Sequence, residues 1–402
     1  MQNVDAAGLG IGDDHPPRIM GVLNVSAESP YDPSVFDDPG EAAAYVDEEL
    51  IGEGADIVDV GLESANKRFD TLSAEGELDR LDTAVETLES TSGDAVWSIE
   101  TRYAEVAAAA LDRGFDMVND IAGFADPEMP EVCRDYDVAV AKMASPPDLT
   151  KPGAVRATPW AERKSPEWAE SADYVDQVYE ALKQNGLTDK TIVDPAFGGW
   201  SEAKTLEHDR VTFRRLREFR ALDRPILVSI NRKNFLRELA DRSTEAALPV
   251  SLAATSMAVE RGAHVIRTHD VAETRDAALV GAEFGRELVR DEALGVEELD
   301  VATVSDLGRY LDRMREDSAE TTIDTAADPA DGVARVFRLE GVSDAGMAAI
   351  AEMAADSACG WAAGEDTILV FGTVGALATL PNPETAPPSL TKALERVRET
   401  CR

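Results

Sequence analysis

The chain is expected to fold as a (β/α)8 barrel of the TIM type with a small C-terminal α/β appendage. Three observations carry this expectation. Eight short apolar runs alternate with amphipathic helical stretches from Arg18 onward. Nearly every run closes on a polar side chain. No Gly-x-Gly-x-x-Gly follows the first run, as a doubly wound sheet would often show. Strands alternating with helices imply parallel pairing through right-handed crossovers. Eight such units over about 270 residues fit a closed barrel better than an open sheet.

The runs are RIMGVLNV (18–25), ADIVDVG (55–61), AVWSIET (95–101), DMVNDIA (116–122), DVAVAKM (137–143), TIVDPAF (191–197), ILVSINR (226–232) and HVIRTHD (264–270). Helical candidates between them cover 41–53, 74–89, 102–113, 169–185, 205–220 and 245–261. Residues 1–17 form an N-terminal extension and 18–290 the barrel. Residues 291–332 read as a helical, acidic linker, polar and loop-like over DSAETTIDTAADPADG. Residues 333–402 read as a small α/β domain. Its strand is ARVFRLEG, its helices cover 344–356 and 388–400, and the apolar stretch TILVFGTVGALATL lies between them. No clustered His, Cys or paired catalytic side chains occur there.

The chemistry gathers at the strand ends. Strand 1 ends in Asn24, and strand 2 contains Asp59 and runs into Glu63-Ser64. Strand 3 ends in Glu100, strand 4 in Asn119-Asp120, strand 5 in Lys142 and strand 6 in Asp194. Strand 7 ends in Asn231 and Lys233, and strand 8 in Arg267 and His269. In a parallel barrel these ends share one face, where such barrels place their active sites. Alternation puts Arg267 with His269 and Asn231 with Lys233. Three potential cations at adjacent strands suit a phosphate or diphosphate. Asn119 and Asp194 offer the donor and acceptor atoms that read an aminopyrimidine-type edge. A bland alternative for Asp194 is a carboxylate capping the turn at Pro195. Two long loops, after strands 1 and 2, suit lids over this mouth.

Composition narrows the class. Formal net charge is −39, from 78 acidic against 39 basic residues, and only nine of the latter are Lys. Such charge repels itself in dilute buffer, whereas at molar salt the Debye length falls to about 3 Å. An acidic, Lys-poor surface fits a salt-rich, halophilic cytoplasm. No basic stripe supports nucleic-acid binding. No apolar run approaches about 20 residues, so no membrane span is expected. Three scattered cysteines indicate neither a disulfide framework nor a zinc site. No signal peptide is visible at the N-terminus.

The segments MGVLNVSAES, GADIVDVGLES, SAEGELDRL, NDIAGF, DPAFGGW, INRKNF and RTHDV resemble, in order and spacing, the signatures of the dihydropteroate synthase family. The resemblance covers roughly residues 18–285. It implies condensation of 6-hydroxymethyl-7,8-dihydropterin diphosphate with 4-aminobenzoate, giving dihydropteroate and diphosphate in folate biosynthesis. Carried over by position, Asn119 and Asp194 bind the pterin, with Lys233 beside its ring. Asn24 binds a Mg2+ on the substrate diphosphate, which Arg267 and His269 hold. Glu100 falls on the family's strand-3 Asp, and Asp32 matches the Asp of its first loop. Glu100, Lys233 and Asp32 are thus the expected catalytic residues. Ser64, Lys67, Arg68 and Asn231 would form the acceptor site.

Several positions depart from the family pattern. Ala65-Asn66 stand where Thr-Arg is usual, Lys142 replaces a His, Gly199 an aromatic residue and Pro30 a Phe. Two other readings share the same residues: a related pterin-barrel transferase with a different acceptor, and a non-catalytic pterin-binding protein. A homodimer paired through an outer helix face is also compatible with the barrel.

Overall fold

The computed structural model describes residues 1–25, 34–63, 71–155, 164–291, 293–317, 327–354, 358–364, 367–382 and 385–402. They divide into two units, Met1–Glu287 and Leu288–Arg402.

In the first unit the eight expected strands are all present. Strand 1 is Arg18–Asn24, strand 2 Ile57–Gly61, strand 3 Val96–Thr101 and strand 4 Met117–Asp120. Strand 5 is Ala139–Met143, strand 6 Thr191–Asp194, strand 7 Leu227–Val228 and strand 8 Val265–Thr268. Neighbours pair in parallel from strand 1 to strand 6, and strand 8 pairs with both strands 1 and 7. A parallel bridge between Val193 and Ile226 closes the circle. The barrel is therefore complete.

Alternation along the strands sorts side chains into two cores. Met20, Ile57, Val96, Met117, Ala139, Ala141, Ile192, Leu227 and Val265 face inward and form one buried cluster. Their outward neighbours, among them Leu23, Val58, Ile99, Val118, Val140, Val193 and Ile266, pack under the helices. The inward parity turns polar toward the carboxyl ends: Asp59 follows Ile57, Ser98 and Glu100 follow Val96, and Asn119 follows Met117. Asp194 follows Ile192, and Arg267 follows Val265. A barrel interior that is apolar below and polar above is what this alternation dictates.

The helices follow the expected positions with local changes. The 41–53 candidate is an α-helix over Pro39–Tyr45 that widens into a π-helical turn over Val46–Ile51. The 169–185 candidate splits into Pro166–Ser171 and Tyr174–Lys183, the second opened by an Asp173–Asp176 capping box.

Residues 1–17 are built into the barrel. Val4–Ala6 and Leu9–Ile11 form an antiparallel hairpin turning on Ala7 and Gly8, both at positive φ. Val4, Ala6 and Ile11 join the interior cluster, so the hairpin plugs the amino-terminal end of the barrel. Asp13 secures it, accepting both Arg220 Nη2 bonds at 3.0 Å and the His264 Nε2 bond at 3.0 Å. The Ile226 amide donates to His264 Nδ1, which fixes the neutral tautomer.

In the second unit Thr367–Thr373 is the central strand of a three-stranded antiparallel sheet, between Ala334–Glu340 and Gly360–Ala363. Helices Val304–Asp317, Asp344–Ala354, Val374–Ala378 and Pro388–Cys401 accompany it. The stretch read as one apolar run is a strand followed by a helix, which Thr373 caps through the Ala376 amide. Gly360–Ala363 was not anticipated, because CGWAA is short and lacks β-branched residues.

Candidate active site

The polar interior layer is one connected network. Asp59, fully buried, accepts from Ser98 Oγ at 2.7 Å, Asn119 Nδ2 at 2.9 Å and Arg267 Nε at 2.7 Å. Arg267 Nη2 donates to Glu100 Oε2 at 2.6 Å. Four strands, 2, 3, 4 and 8, therefore meet through side chains at the mouth.

Asp194 completes the interior on strand 6. Its Oδ1 accepts the Ala196 amide at 2.7 Å, so the turn-capping reading holds for that oxygen. Oδ2 has no hydrogen-bond partner among the described residues. Burial pushes its pKa up to about 6, against the opposing pull of that amide and of Lys233. Lys233 follows strand 7 and stands at the N-cap of helix Asn234–Ala240. A Cβ on Gly198 would lie 3.2 Å from its Nζ, and Gly198 has φ +119, so a glycine there suits both constraints. Burial, reinforced by Arg267, draws the Lys233 ammonium down to about 8.

At strands 1 and 8 a second chain forms. Asn24 Nδ2 bonds Ser34 Oγ at 3.0 Å, and Ser34 Oγ lies 3.2 Å from His269 Nδ1. The Asn24 Oδ1 atom approaches Gly61, where a Cβ would lie 3.0 Å away. His269 is not a cation here: burial first, then Arg267 and Lys233, pull its pKa down to about 3. Arg267 is charged but neutralised. Burial opposes its charge, and Glu100 and Asp59 outweigh burial and raise it. The expected trio of cations is thus one paired arginine, one lysine and one neutral imidazole. Burial likewise raises Glu100, with Arg267 opposing.

Two strand-end residues lie outside the mouth. Lys142 has outward parity, and its Nζ donates to the carbonyls of Leu182, in the last turn of helix Tyr174–Lys183, and of Gln184 and Gly186 beyond it. It also sits 4.7 Å from the Phe124 ring centre. Lys142 therefore caps a helix and does not face substrate, correcting its place among the mouth residues. Asp120, also outward, accepts the amides of Ala122 and Phe124 and shapes the turn. Asn231 Nδ2 is bound to Asp270 Oδ2 at 2.8 Å, beside a bidentate Arg232–Asp270 pair. Asp32, Ser64, Lys67 and Arg68 lie outside the described residues.

Sequence reasoning missed several partners. Asp59 is named on strand 2 without a role; besides Ser98, the missed partners include the buried Lys204–Asp209 pair at 2.8 Å behind Asp194. They also include Arg102, whose Nη2 bonds Glu63 at 2.7 Å and whose Nη1 bonds the Leu149 carbonyl. Glu63 in turn accepts the Leu72 amide, and Glu77 accepts from Thr101 Oγ1. Burial raises Glu77 to about 7. Strand parity could have found Ser98 and the role of Asp59. Nothing local flags the others.

Asn24 was assigned a magnesium ion. With its amide nitrogen engaged by Ser34, its oxygen has no hydrogen-bond partner among the described residues. Among the described residues no group of three or more His, Cys, Asp or Glu could hold a metal ion. A single amide oxygen fits Mg2+, which keeps waters and is commonly carried by substrate phosphates.

Comparison with known proteins agrees with this geometry. Residues 20–269 match the family described as pterin binding enzyme. A probable bifunctional folylpolyglutamate synthase/dihydropteroate synthase of Halobacterium salinarum is 33% identical over 263 residues, 65% of this chain. The chain spans only 31% of that protein's length. The Escherichia coli dihydropteroate synthase is 30% identical over 68% of this chain and 94% of its own length. A Coxiella burnetii dihydropteroate synthase, solved with pteroic acid, superposes with a TM-score of 0.55 at 28% identity. That match covers 70% of this chain and 98% of the other. The chain belongs to the pterin-binding enzyme family, among its dihydropteroate synthases.

Proposed function

We propose that this chain is a dihydropteroate synthase, a transferase of folate biosynthesis. It would join the methylene of 6-hydroxymethyl-7,8-dihydropterin diphosphate to the amine of 4-aminobenzoate. The observation that carries the reading is the joined inward layer of Asp59, Glu100, Asn119 and Arg267, with Asp194 alongside, at the carboxyl end of a closed barrel. Asn119 Oδ1 and Asp194 Oδ2 are acceptors directed to the N–H groups of a pterin edge. The Lys233 ammonium lies opposite Asp194 and closes the ring pocket.

Breaking the methylene–oxygen bond gives a cationic methylene and a diphosphate anion. Asp194 and Glu100 place carboxylates where the cation develops, and Arg267 supports the departing anion. Neutral His269 contributes a hydrogen bond, not a charge. The arylamine then forms the new carbon–nitrogen bond and gives up one proton, which the released diphosphate or solvent takes. Asn24 Oδ1 would hold Mg2+ on the diphosphate, where the ion supplies charge neutralisation when bound. Ser64, Lys67, Arg68 and Asn231 are assigned to the acceptor, and Asp32 to the cationic intermediate. The same proposal includes a cytoplasmic, salt-rich setting and a homodimer, which sedimentation at 2 M KCl tests.

The deciding experiment supplies purified chain in molar KCl with Mg2+, pterin diphosphate and labelled 4-aminobenzoate. Dihydropteroate and diphosphate should appear in equal amounts. Pterin diphosphate binding without dihydropteroate formation overturns the synthase and leaves the pterin-binding reading.

A further inference from the structure

We infer that Asp59 is a positioning residue for pterin recognition, acting through the Asn119 amide. The inference rests on the proposed pterin site. Among the described residues, Asp59 is the one side chain that touches both a proposed pterin reader, Asn119, and the proposed diphosphate residue, Arg267.

An Asn side chain can present either its oxygen or its nitrogen to a ligand, and the two choices recognise opposite partners. Asp59 Oδ2 accepts only, so a 2.9 Å contact to Asn119 is a bond only when the nitrogen faces it. Asn119 Oδ1 is then the atom left for the mouth. Ser98 Oγ, at 2.7 Å from Asp59 Oδ1, and Arg267 Nε, at 2.7 Å from Oδ2, prevent Asp59 itself from turning. Asp59 is fully buried, so water does not compete for these bonds. The pocket thereby offers two acceptors, Asn119 Oδ1 and Asp194 Oδ2, to one heterocycle. It selects an edge rich in N–H groups, as an aminopyrimidine ring has, and rejects one that presents acceptors at the same places.

Arg267 receives the complementary constraint. Nε is held by Asp59 and Nη2 by Glu100, leaving Nη1 without a partner among the described residues. Asp59 thus links the orientation of the ring reader to that of the anion-binding arginine.

The test is a double-mutant cycle on binding of 6-hydroxymethyl-7,8-dihydropterin, which lacks the diphosphate, to full-length protein in molar KCl. Asp59→Ala should weaken binding about tenfold or more, the scale of one charge-assisted hydrogen bond. Asn119→Ala should weaken it similarly. The double variant should bind no worse than Asn119→Ala alone, because Asp59 acts through that amide. Losses that add in the double variant overturn the inference.

Asp59→Asn is isosteric and keeps an oxygen toward Asn119 and Arg267, with Ser98 free to accept from its nitrogen. It should bind within about threefold of the wild type. If Asp59 served only to balance the Arg267 charge, Asp59→Asn would lose as much as Asp59→Ala. Should Asp59→Ala not fold, a tenfold loss in Asp59→Asn that persists on the Asn119→Ala background refutes the role. A wild type that binds no pterin refutes the proposed function instead. The anchor is then read from the Asn119 side-chain amide in 15N-asparagine-labelled protein. Its hydrogen exchange should quicken in the Asp59 variants, and unchanged exchange overturns the inference.

Discussion

Removing the Arg267 side chain should cost stability as well as ligand binding, and the stability cost should depend on pH. Arg267→Ala strips the partner from two carboxylates, Asp59 and Glu100, at 2.7 and 2.6 Å. Asp59 is fully buried and the Glu100 side chain is 11% exposed, so solvent replaces little of what is lost. Breaking a buried pair from one side costs about 3–5 kcal/mol. For a unit of 287 residues, with an unfolding entropy of about 2.1 cal/mol/K per residue, that corresponds to about 5–8 °C in Tm.

The sign of the pH effect follows from Glu100. Burial already raises its pKa, and Arg267 opposes the rise. Without the arginine the folded-state value climbs further above the unfolded one. Stability from such a group is fully present below the unfolded value and is lost as pH rises through the folded value. The deficit of Arg267→Ala should therefore be large at pH 8 and smaller at pH 5.5. Thermal unfolding in 2 M KCl at both pH values, with denaturant titration as a check, measures it. Equal Tm at pH 8, or a deficit undiminished at pH 5.5, refutes the reasoning. Binding of pterin diphosphate should weaken about tenfold or more in the same variant.

Other expectations follow from the same network. Lys142→Met removes the donor to three carbonyls and should destabilise by about 3 kcal/mol or more, with kcat/KM of the folded enzyme unchanged. A tenfold loss of kcat/KM at full stability would return Lys142 to the active site. Glu77→Gln should abolish a pH dependence: the Glu77 contribution is present below 4.5 and lost as pH rises past about 7. The variant should gain on the wild type by up to about 3 kcal/mol between pH 4.5 and pH 8 in denaturant titrations, and a constant difference counts against the assignment. With a net charge of −39, Tm should rise by on the order of 10 °C between 0.2 and 2 M KCl, and a flat profile would contradict the salt-adapted reading.

The barrel was legible because its signals are local. Eight apolar runs, their spacing and their polar ends can each be read within ten residues. Asn24, Glu100, Asn119, Asp194 and Arg267 were found because strand alternation forces them into the interior. The same rule, applied strictly, separates Lys142 from them: Ala139 and Ala141 take the inward places on strand 5. The electrostatic character of the mouth was not legible. Arg267 meets Asp59 across 208 residues and Glu100 across 167, and no local pattern encodes either distance. Reading Arg267, His269 and Lys233 as three potential cations left out both the carboxylates that pair Arg267 and the burial that keeps His269 neutral. Arg102, Glu77 and Lys204 were silent for the same reason.

The amino-terminal hairpin has a consequence for the order in which the chain acquires its structure. Its apolar side chains complete the barrel floor, yet its anchor Asp13 depends on Arg220 and His264, 207 and 251 residues later. A segment that precedes every barrel strand in the chain is therefore among the last to find its place. Until strand 8 is made, Val4, Ala6 and Ile11 have no complete floor to enter, and the nascent barrel has no seal. Contacts of such long range slow folding. Seating of the hairpin is expected to coincide with ring closure, so that the step which finishes the barrel also buries the residues that precede it.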